Sequence, residues 1–152
     1  MVNLAKLTAA VESHEGLVLH VYDDANGKPV VPGYTLIGHP TIGYGRALDT
    51  YGVTADEAKV LLMNNINVVV GQVSAMLPWS ATLDDVRLRV LLEMAFNLGI
   101  AGLMEFHDTL RHIQAGQYNL ASVSMMDSLW AKQVGSRADV LSKMMASGLD
   151  SA

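Results

Sequence analysis

The sequence predicts an α+β fold, with a small antiparallel β-rich lobe over about residues 17–50 and a larger helical lobe over about residues 78–150. Residues 17–24 (LVLHVYDD) alternate between a leucine-rich face and a more polar face, and an Asn-Gly turn signal follows them. From Thr54 onward, apolar residues recur at helical spacing. We therefore expect one domain over residues 1–152, with the binding cleft between its two lobes.

A helix is predicted at the N-terminus over residues 2–14, and we assign it to the helical lobe. Leu4, Leu7 and Val11 recur at steps of three and four, which is the spacing of one buried helical face. Gly16 follows, and glycine commonly stands just past the C-terminus of a helix. This helix is therefore expected to bury its leucine stripe.

Prolines interrupt the segment KPVVPGYTLIGHPTIGYGRALD (residues 28–49), so it is not expected to form long paired strands. We predict short strands around Tyr34–Ile37 and Thr41–Tyr44, with loops between them. The β-rich lobe should thus consist of short strands and loops.

The second half of the chain is predicted to be helical. Thr54-Ala-Asp-Glu57 is a capping-box pattern, and it opens a helix to about Met76 that joins the two lobes. That helix carries one apolar stripe: Leu62, Ile66, Val69, Val73 and Met76. Further helices are predicted from Asp84 or Asp85 through Phe96, ended by Gly99, and over about Met104–Ala115, Tyr118–Met126 and Ser136–Ala146.

Composition limits the classes of function. Hydrophobic residues make up 51% of the chain and charged residues 16%, which is typical of a globular protein. There is no cysteine, so disulfides and thiolate metal sites are excluded. The five histidines are scattered, and His107 and His112 stand five apart, which does not bring them onto one helical face. We therefore expect no metal site.

The charge pattern argues against nucleic acid and membrane partners. The net charge is −5 and lysine and arginine form no cluster, so we expect no nucleic acid partner. No apolar run approaches the roughly 18 residues of a membrane span, so we expect no stable membrane insertion. Lys6 and Glu12 interrupt the N-terminal apolar segment, which therefore fails as a signal peptide. We expect synthesis in the cytoplasm.

Two carboxylates bracket the first strand. The apolar spacing of the N-terminal helix continues to Glu15, so this glutamate should face the buried side, near the negative end of the helix dipole. Both effects raise the pKa of a carboxyl group, as a general acid requires. Asp24 falls on the wet side of the strand, whereas Asp23 is in register with the apolar face and is expected to be a strand-end or turn residue. One protonated and one ionised acid suit the cleavage of a glycosidic bond by water, although solvated surface carboxylates are equally compatible with the spacing.

The segment TIGYGRAL (residues 41–48), following this acid pair, resembles the phage-type lysozymes of glycoside hydrolase family 24. Three later segments resemble that family's helical lobe, in the same order and at similar intervals: EMAFNLG (93–99), GLMEFHDTLRHIQAGQY (102–118) and LWAKQVGSRADVL (129–141). The resemblance covers nearly the whole chain. It implies a lysozyme-like fold with the active-site cleft between the lobes.

The resemblance implies three catalytic residues. Glu15 would be the general acid that protonates the glycosidic oxygen, and Asp24 would orient and activate the attacking water. Thr41 would help to hold that water through its hydroxyl, which can both donate and accept. The family's outcome is inversion by a single displacement, but the separation of the carboxylates, which distinguishes inversion from retention, cannot be read from a sequence.

The resemblance also implies substrate-binding residues on the helical side. Arg137 resembles the family's arginine that pairs with the catalytic glutamate, and such a pair would lower the pKa of the acid and so oppose desolvation. Phe96, Asn97 and Thr109 match positions that line the sugar-binding cleft. For Phe96, packing in the core is an equally good interpretation, because an aromatic residue on an apolar helix face is usually a core residue.

The sequence departs from the family pattern at two places. Sixteen residues, Ala25–Pro40, separate the aspartate from the threonine, where the family's compact form has few. Thr35 in YTLIG is therefore a second candidate, and we prefer Thr41 because TIGYG keeps two glycines that allow close backbone approach. Arg46 stands where many members carry histidine, and we expect it to be structural.

We expect a peptidoglycan-degrading endolysin, a monomeric muramidase that cleaves the β-1,4 bond between N-acetylmuramic acid and N-acetylglucosamine without a cofactor. The resemblance implies synthesis in the host bacterial cytoplasm and release to the cell wall through a holin. The acidic pI of about 5.4 makes unaided attack on cells from outside a weaker expectation. Three alternatives stay open: a lytic transglycosylase, a non-catalytic glycan-binding module, and an enzyme that acts on chitin or chitosan.

Overall fold

The computed structural model describes residues 2–150, and the chain folds as two compact units that divide between Lys59 and Val60. Unit 1 precedes this division and unit 2 follows it, and the division falls within one long helix. The fold is α+β, as predicted. In chain order the elements are α1 (Leu4–Glu15), β1 (Val18–Asp23), β2 (Pro40–Gly43), β3 (Arg46–Ala47), α2 (Leu48–Tyr51), α3 (Ala55–Met76), a 3₁₀ helix (Pro78–Thr82), α4 (Asp85–Met104), α5 (His107–Gln114), α6 (Tyr118–Met126), α7 (Leu129–Val134) and α8 (Ser136–Ser147).

Unit 1 contains a three-stranded antiparallel sheet in the order β1-β2-β3. β1 pairs with β2 so that Tyr22 lies opposite Thr41 and Asp23 lies opposite Pro40. The register shifts between Val18 and Tyr22, so the pairing is irregular in the first half of β1. The strand predicted around Thr41–Tyr44 is confirmed as β2.

The strand predicted around Tyr34–Ile37 is wrong. These residues form a loop, because the amides of Ile37 and Gly38 donate to the side-chain carboxylate of Asp23 and not to a neighbouring strand. The amide of Tyr34 is used in a turn, donating to the carbonyl of Val31 at 2.9 Å. The apolar residues of this segment therefore lie in a loop whose backbone is hydrogen-bonded to the buried carboxylate of Asp23.

The predicted helix-end signals operate as expected. Glu57 accepts from the amide of Thr54 at 2.7 Å, and the Thr54 hydroxyl accepts from the amide of Glu57 at 3.2 Å, so the capping box at the start of α3 is confirmed. Asn3 caps α1 by accepting from the amide of Lys6 at 3.1 Å. Gly16 ends α1 with φ 70°, a value that favours glycine.

The prediction that the leucine stripe of α1 is buried is wrong. Leu4, Leu7 and Val11 are between 43% and 69% exposed, and no residue of α1 is buried. Leu17, which directly precedes β1, and Leu19 within it are exposed as well, although the strand predicted from residue 17 was expected to be half-buried. Within residues 2–150, the buried apolar side chains all belong to unit 2. Helical or strand spacing shows that a face is apolar, but tertiary packing decides whether anything covers it.

The apolar core lies in unit 2, where α8 packs against α4, α6 and α7. Val73 of α3 belongs to this core, but Leu62 and Met76 from the same predicted stripe are about half exposed. Although α3 has 22 residues, no helix within residues 2–150 is apolar enough over a sufficient length to cross a membrane. The largest fully buried core side chains are Leu91, Met94, Leu103, Ile113, Met125 and Met145.

Gly99 ends the first of two helical segments within α4. Its backbone is non-helical, with φ 71° and ψ 160°, so the predicted end of this helix is confirmed. A second helical segment follows the kink and continues to Met104. The 3₁₀ helix and α7 were not predicted, because elements of five and six residues are too short for periodicity to reveal them.

Arg87 of α4 caps the C-terminal end of α8. Its guanidinium donates to the carbonyls of Met145 at 2.8 Å and Ala146 at 3.0 Å, and it lies 3.7 Å from the ring centroid of Tyr118. A cation at a helix C-terminus stabilises the helix by roughly 0.3–1 kcal/mol. The contact is close enough that a Cβ at Gly148 would lie 2.5 Å from Arg87 Nη1. One side chain thus joins α4, α6 and α8.

Candidate active site

The two aspartates at the end of β1 lie in opposite environments. Asp23 is fully buried, with 0% of its surface exposed, whereas Asp24 is exposed. Successive side chains of a strand point to opposite faces, so one position along the chain separates a buried carboxylate from a solvated one. The prediction that Asp24 takes the exposed side is confirmed.

The Asp23 carboxylate accepts four hydrogen bonds. Oδ2 accepts from the hydroxyl of Tyr34 at 2.9 Å and the amide of Ile37 at 2.8 Å, and Oδ1 accepts from the amides of Gly38 at 2.9 Å and Ala25 at 3.0 Å. These bonds, above all the one from Ile37, hold the pKa of Asp23 below its usual value although burial opposes them. Its ionised form therefore stabilises the fold above the unfolded pKa of about 3.9, and this stabilisation is lost as the pH falls through the lower folded-state pKa.

Unit 1 is organised around polar groups. Among residues 2–59, the buried side chains are those of Asp23 and Thr41. The apolar side chains of this part of the chain are exposed or half-buried, so they form no buried cluster. A buried polar group constrains its surroundings, because each donor or acceptor left unpaired is costly. The hydrogen bonds of Asp23 therefore hold the loop over residues 34–38.

The backbone of His39 connects Asp24 to Thr41. Its amide donates to Asp24 Oδ1 at 2.7 Å, and its carbonyl accepts from the Asp24 amide at 3.1 Å and the Thr41 hydroxyl at 3.2 Å. Within residues 2–150, Asp24 Oδ2 accepts no hydrogen bond from the protein, so this oxygen is open to a water molecule. Thr41 lies opposite Tyr22 in the pairing of β1 with β2 and shares its face of the sheet.

The two candidate threonines differ in their surroundings. Thr41 lies in β2, is 3% exposed and is bonded to the carbonyl of the residue that holds Asp24. Thr35 lies in the loop before β2 and is exposed. Of the two, Thr41 alone is tied to the peptide that orients Asp24.

The Glu15 carboxylate lies beside the turn between β2 and β3. A Cβ added at Gly45 would lie 3.2 Å from Glu15 Oε2, and the backbone of Gly45 has φ 81°. The close approach predicted for the glycines of TIGYG is therefore confirmed at Gly45. The prediction that Glu15 faces a buried side is wrong, because its side chain is exposed. The apolar stripe of α1 borders an open groove of about 320 Å³ lined by Leu7, Thr8, Val11, Glu12 and Tyr44.

Ionic contacts hold the segments on either side of β2. His39 Nδ1 lies 2.9 Å from Asp49 Oδ2, and this hydrogen bond raises the pKa of His39 and lowers that of Asp49. The stabilisation from protonated His39 is present below its unfolded pKa of about 6.5 and is lost as the pH rises through the higher folded-state value. It is small, because both side chains are about half exposed. Arg46 donates to the Gly52 carbonyl and to Glu57, each at 2.7 Å, which confirms its structural role.

Phe96 and Arg137 line one cavity of unit 2, with a volume of about 430 Å³. Phe96 is 42% exposed, so the alternative that it is a core residue is wrong. Arg137 Nη2 donates to Glu93 Oε2 at 3.1 Å. The pairing of Arg137 with Glu15 stays a prediction. The rest of the wall is mostly apolar and includes Leu62, Ile66, Val69, Val70 and Leu92.

Asn97 and Thr109 lie elsewhere in unit 2. Asn97 Oδ1 accepts from the indole nitrogen of Trp130 at 2.8 Å, and Trp130 packs edge-to-face against Phe106. Asn97 thereby supplies the polar partner that a buried indole requires. Thr109 is 2% exposed and borders a separate polar pocket at the start of α5. The substrate-binding roles of these two residues stay predictions.

Sequence reasoning missed three residues of this site. Asp23 is expected only as a strand-end or turn residue, and His39 only as one of several scattered histidines. Gly38 lies in the segment considered for Thr35, yet a Cβ there would clash with Asp24 Oδ1. The position of Asp23 on the apolar face, next to the solvated Asp24, could have indicated its role. However, a sequence does not reveal which later amides will bind its carboxylate. Across residues 2–150, no group of three or more histidine and acidic side chains is arranged to hold a metal ion.

Comparisons with known proteins identify the family to which the chain belongs. The family model for phage lysozyme matches residues 12–146, a range that contains every candidate residue described above. The chain is also similar to the pre-baseplate central spike protein Gp5 of Enterobacteria phage T4, with 25% identity over 151 residues. That match covers 88% of this chain and 26% of the spike protein, so the chain spans about a quarter of the length of this relative. Because the family model matches most of its length, the chain belongs to the phage lysozyme family.

Proposed function

We propose that this protein hydrolyses peptidoglycan as a muramidase, cleaving the β-1,4 bond between N-acetylmuramic acid and N-acetylglucosamine. The arrangement at Asp24 carries the proposal: one carboxylate oxygen is bound by the His39 amide, the other is open, and the Thr41 hydroxyl is bonded to the same residue, His39. A carboxylate that is oriented but keeps free lone pairs can accept a proton from water. Membership of the phage lysozyme family supports the substrate class.

In the proposed reaction, Glu15 donates its proton to the glycosidic oxygen as the bond from that oxygen to C1 breaks. Asp24 Oδ2 accepts one proton from a water molecule, whose oxygen forms the new bond to C1 from the opposite face. Because the Thr41 hydroxyl donates its own proton to the His39 carbonyl, its lone pairs are left to accept the second hydrogen of the water. A single displacement of this kind inverts the anomeric configuration. Glu15 ends ionised and Asp24 protonated, and proton exchange with solvent restores both.

We extend the proposal to the helical side, where four residues are assigned to substrate binding: Phe96, Asn97, Thr109 and Arg137. The exposed ring of Phe96 offers an apolar face on which a sugar can pack. Arg137 donates to Glu93, and a guanidinium has five donors, so this bond leaves donors for a sugar hydroxyl. Thr109 is 2% exposed and borders the polar pocket at the start of α5, so it offers a sugar little surface.

Product analysis separates hydrolysis from lytic transglycosylation. On purified peptidoglycan we expect fragments that end in reducing muramic acid, because water supplies the new bond to C1. Mass spectrometry would instead detect 1,6-anhydro ends if the protein were a transglycosylase, and that result would contradict the proposal. Chitin and chitosan are tested in parallel. Release of fragments from these polymers but not from peptidoglycan would show that they, and not peptidoglycan, are the substrates. Binding to glycan without any release would identify a non-catalytic module.

Thr41→Val should lower kcat on peptidoglycan by about tenfold to 100-fold, because the attacking water loses a hydrogen-bond acceptor. Thr35→Val removes the same hydroxyl from the other candidate position and should leave kcat within about twofold. Thr41→Ser keeps the hydroxyl and should retain most of the activity. Initial rates of fragment release measure these effects. The assignment of Thr41 would be wrong if Thr35→Val were the variant that lost activity.

We also propose that the protein serves host cell lysis as a monomer that reaches the wall through a holin. Family membership supports a role in the phage life cycle. The similar protein from phage T4 is a central spike protein, so a place in the virion is the alternative. Expression together with an inducible holin tests the proposal. Lysis that begins only on holin induction is the expected result, and absence of lysis under that condition would contradict it.

A further inference from the structure

We propose that Asp23 is a positioning residue for the reaction: by binding the amides of Ile37 and Gly38, it directs the next amide, that of His39, onto Asp24. This inference rests on the proposed function, in which Asp24 activates the water. Asp23 itself is fully buried and therefore cannot touch a substrate. It acts on the reaction through the loop that it holds.

Three consecutive amides donate to the carboxylates of two consecutive aspartates. The Ile37 and Gly38 amides bind Asp23 at 2.8 Å and 2.9 Å, and the His39 amide binds Asp24 at 2.7 Å. Peptide groups are planar, so only the two backbone dihedrals of Gly38 separate the amide held by Asp23 from the amide that holds Asp24. Fixing the first two amides therefore restricts the direction of the third.

The fit at Gly38 leaves no room for a side chain. A Cβ at this position would clash with Asp24 Oδ1 and would lie 2.8 Å from the Cβ and 2.9 Å from the backbone nitrogen of Ala25. These contacts are far inside van der Waals distance, so any larger residue must displace the Asp24 carboxylate or the loop. The loop and the carboxylate are thus matched in shape as well as in hydrogen bonding.

Tyr34 completes the binding site of the Asp23 carboxylate. Its hydroxyl donates to Asp23 Oδ2 at 2.9 Å and accepts from the side-chain amide of Asn26 at 2.8 Å. The insertion Ala25–Pro40 thus contributes the Tyr34 hydroxyl and three amides to one buried carboxylate. No buried apolar cluster forms among residues 2–59, so this hydrogen-bonded centre and the backbone bonds of residues 28–30 to β1 hold the insertion.

The test compares three variants with two matched controls. Gly38→Ala places a methyl group against Asp24, Asp23→Asn keeps the shape but removes the charge, and Tyr34→Phe removes one hydroxyl donor. Gly71→Ala, in open space on α3, and Tyr51→Phe, at an exposed tyrosine, are the controls. The measurements are kcat and KM on soluble glycan strands prepared from peptidoglycan, thermal unfolding, and amide hydrogen exchange by NMR.

We expect Gly38→Ala to lower kcat about 100-fold, because displacing a catalytic group by about 1 Å has an effect of that size. Tyr34→Phe should lower kcat about threefold to tenfold and remain folded, because three of the four hydrogen bonds to Asp23 stay in place. Both variants should keep KM within about twofold of the original value, and the two controls should keep both constants within that range. In Asp23→Asn, the His39 amide should exchange about tenfold faster, together with those of Ile37 and Gly38.

Several results would overturn the inference. Full kcat in Gly38→Ala and Tyr34→Phe would show that Asp24 does not depend on this loop, and a loss confined to KM would assign the loop to substrate binding. Unchanged exchange at His39 in Asp23→Asn would show that the two aspartates are not coupled. If the unmodified protein cleaved no glycan, the proposed function would fail, but the exchange measurement would still decide whether Asp23 positions Asp24.

Discussion

Glu15→Gln is expected to lower the rate of peptidoglycan hydrolysis by about 10²–10⁴-fold, the usual contribution of general acid catalysis. Glutamine has the shape of glutamate but no proton to donate to the leaving oxygen. Because the Glu15 side chain is exposed, the substitution should leave the unfolding temperature nearly unchanged. The measurement is the initial rate of fragment release, with circular dichroism to verify the fold.

Glu12→Gln is the matched control, because it removes a carboxylate from the same helix one turn earlier. It should retain full activity. An aryl glycoside of the same glycan, whose leaving group needs no protonation, adds a second comparison. Glu15→Gln should cleave this substrate with a much smaller deficit than it shows on peptidoglycan. If the variant were fully active on peptidoglycan, Glu15 would not be the acid.

Asp24→Ala should produce a loss of similar size, about 10²–10⁴-fold, because no other group takes the proton from the attacking water. Azide is an anionic nucleophile that needs no base, so it should restore part of the rate and form an α-glycosyl azide. Glu15→Gln should gain nothing from azide on peptidoglycan, because its defect lies in the leaving group. Product stereochemistry by NMR then reports inversion directly.

Asp56→Ala, at an exposed aspartate in the first turn of α3, controls for the loss of a surface charge. It should show neither the loss nor the response to azide. An Asp24→Ala variant with the original rate would remove Asp24 from the mechanism. Equal rescue of the Glu15 and Asp24 variants would mean that the acid and base roles are not separated as proposed.

The parts of the fold that could be predicted depend on residues close together in the chain. Thr54 and Glu57 stand three apart, and their reciprocal capping follows from local geometry alone. The break at Gly99 and the helix end at Gly16 likewise follow from the backbone freedom of single residues. The opposite sides taken by Asp23 and Asp24 follow from strand alternation.

The predictions that were wrong concern burial and distant partners. The stripe of α1 was correctly identified as apolar, but its exposure depends on what packs against it. The segment Tyr34–Ile37 has the composition of a strand, yet its Tyr34 hydroxyl and its Ile37 amide bind a carboxylate that lies 11 and 14 residues earlier in the chain. The contact between Asn97 and Trp130, 33 positions later, is another distant partner that no local pattern specifies, and the substrate-binding role of Asn97 stays a prediction.

By itself the sequence determined the α+β class, most helix ends, the exposed aspartate and the family resemblance, because each of these is encoded within short segments. Only the tertiary structure decided that Asp23 is the buried centre of the insertion, that His39 joins Asp24 to Thr41, and that Gly38 must lack a side chain. The physical reason is that the folded loop decides which amides lie within hydrogen-bond distance of a buried carboxylate. No local sequence pattern specifies these amides.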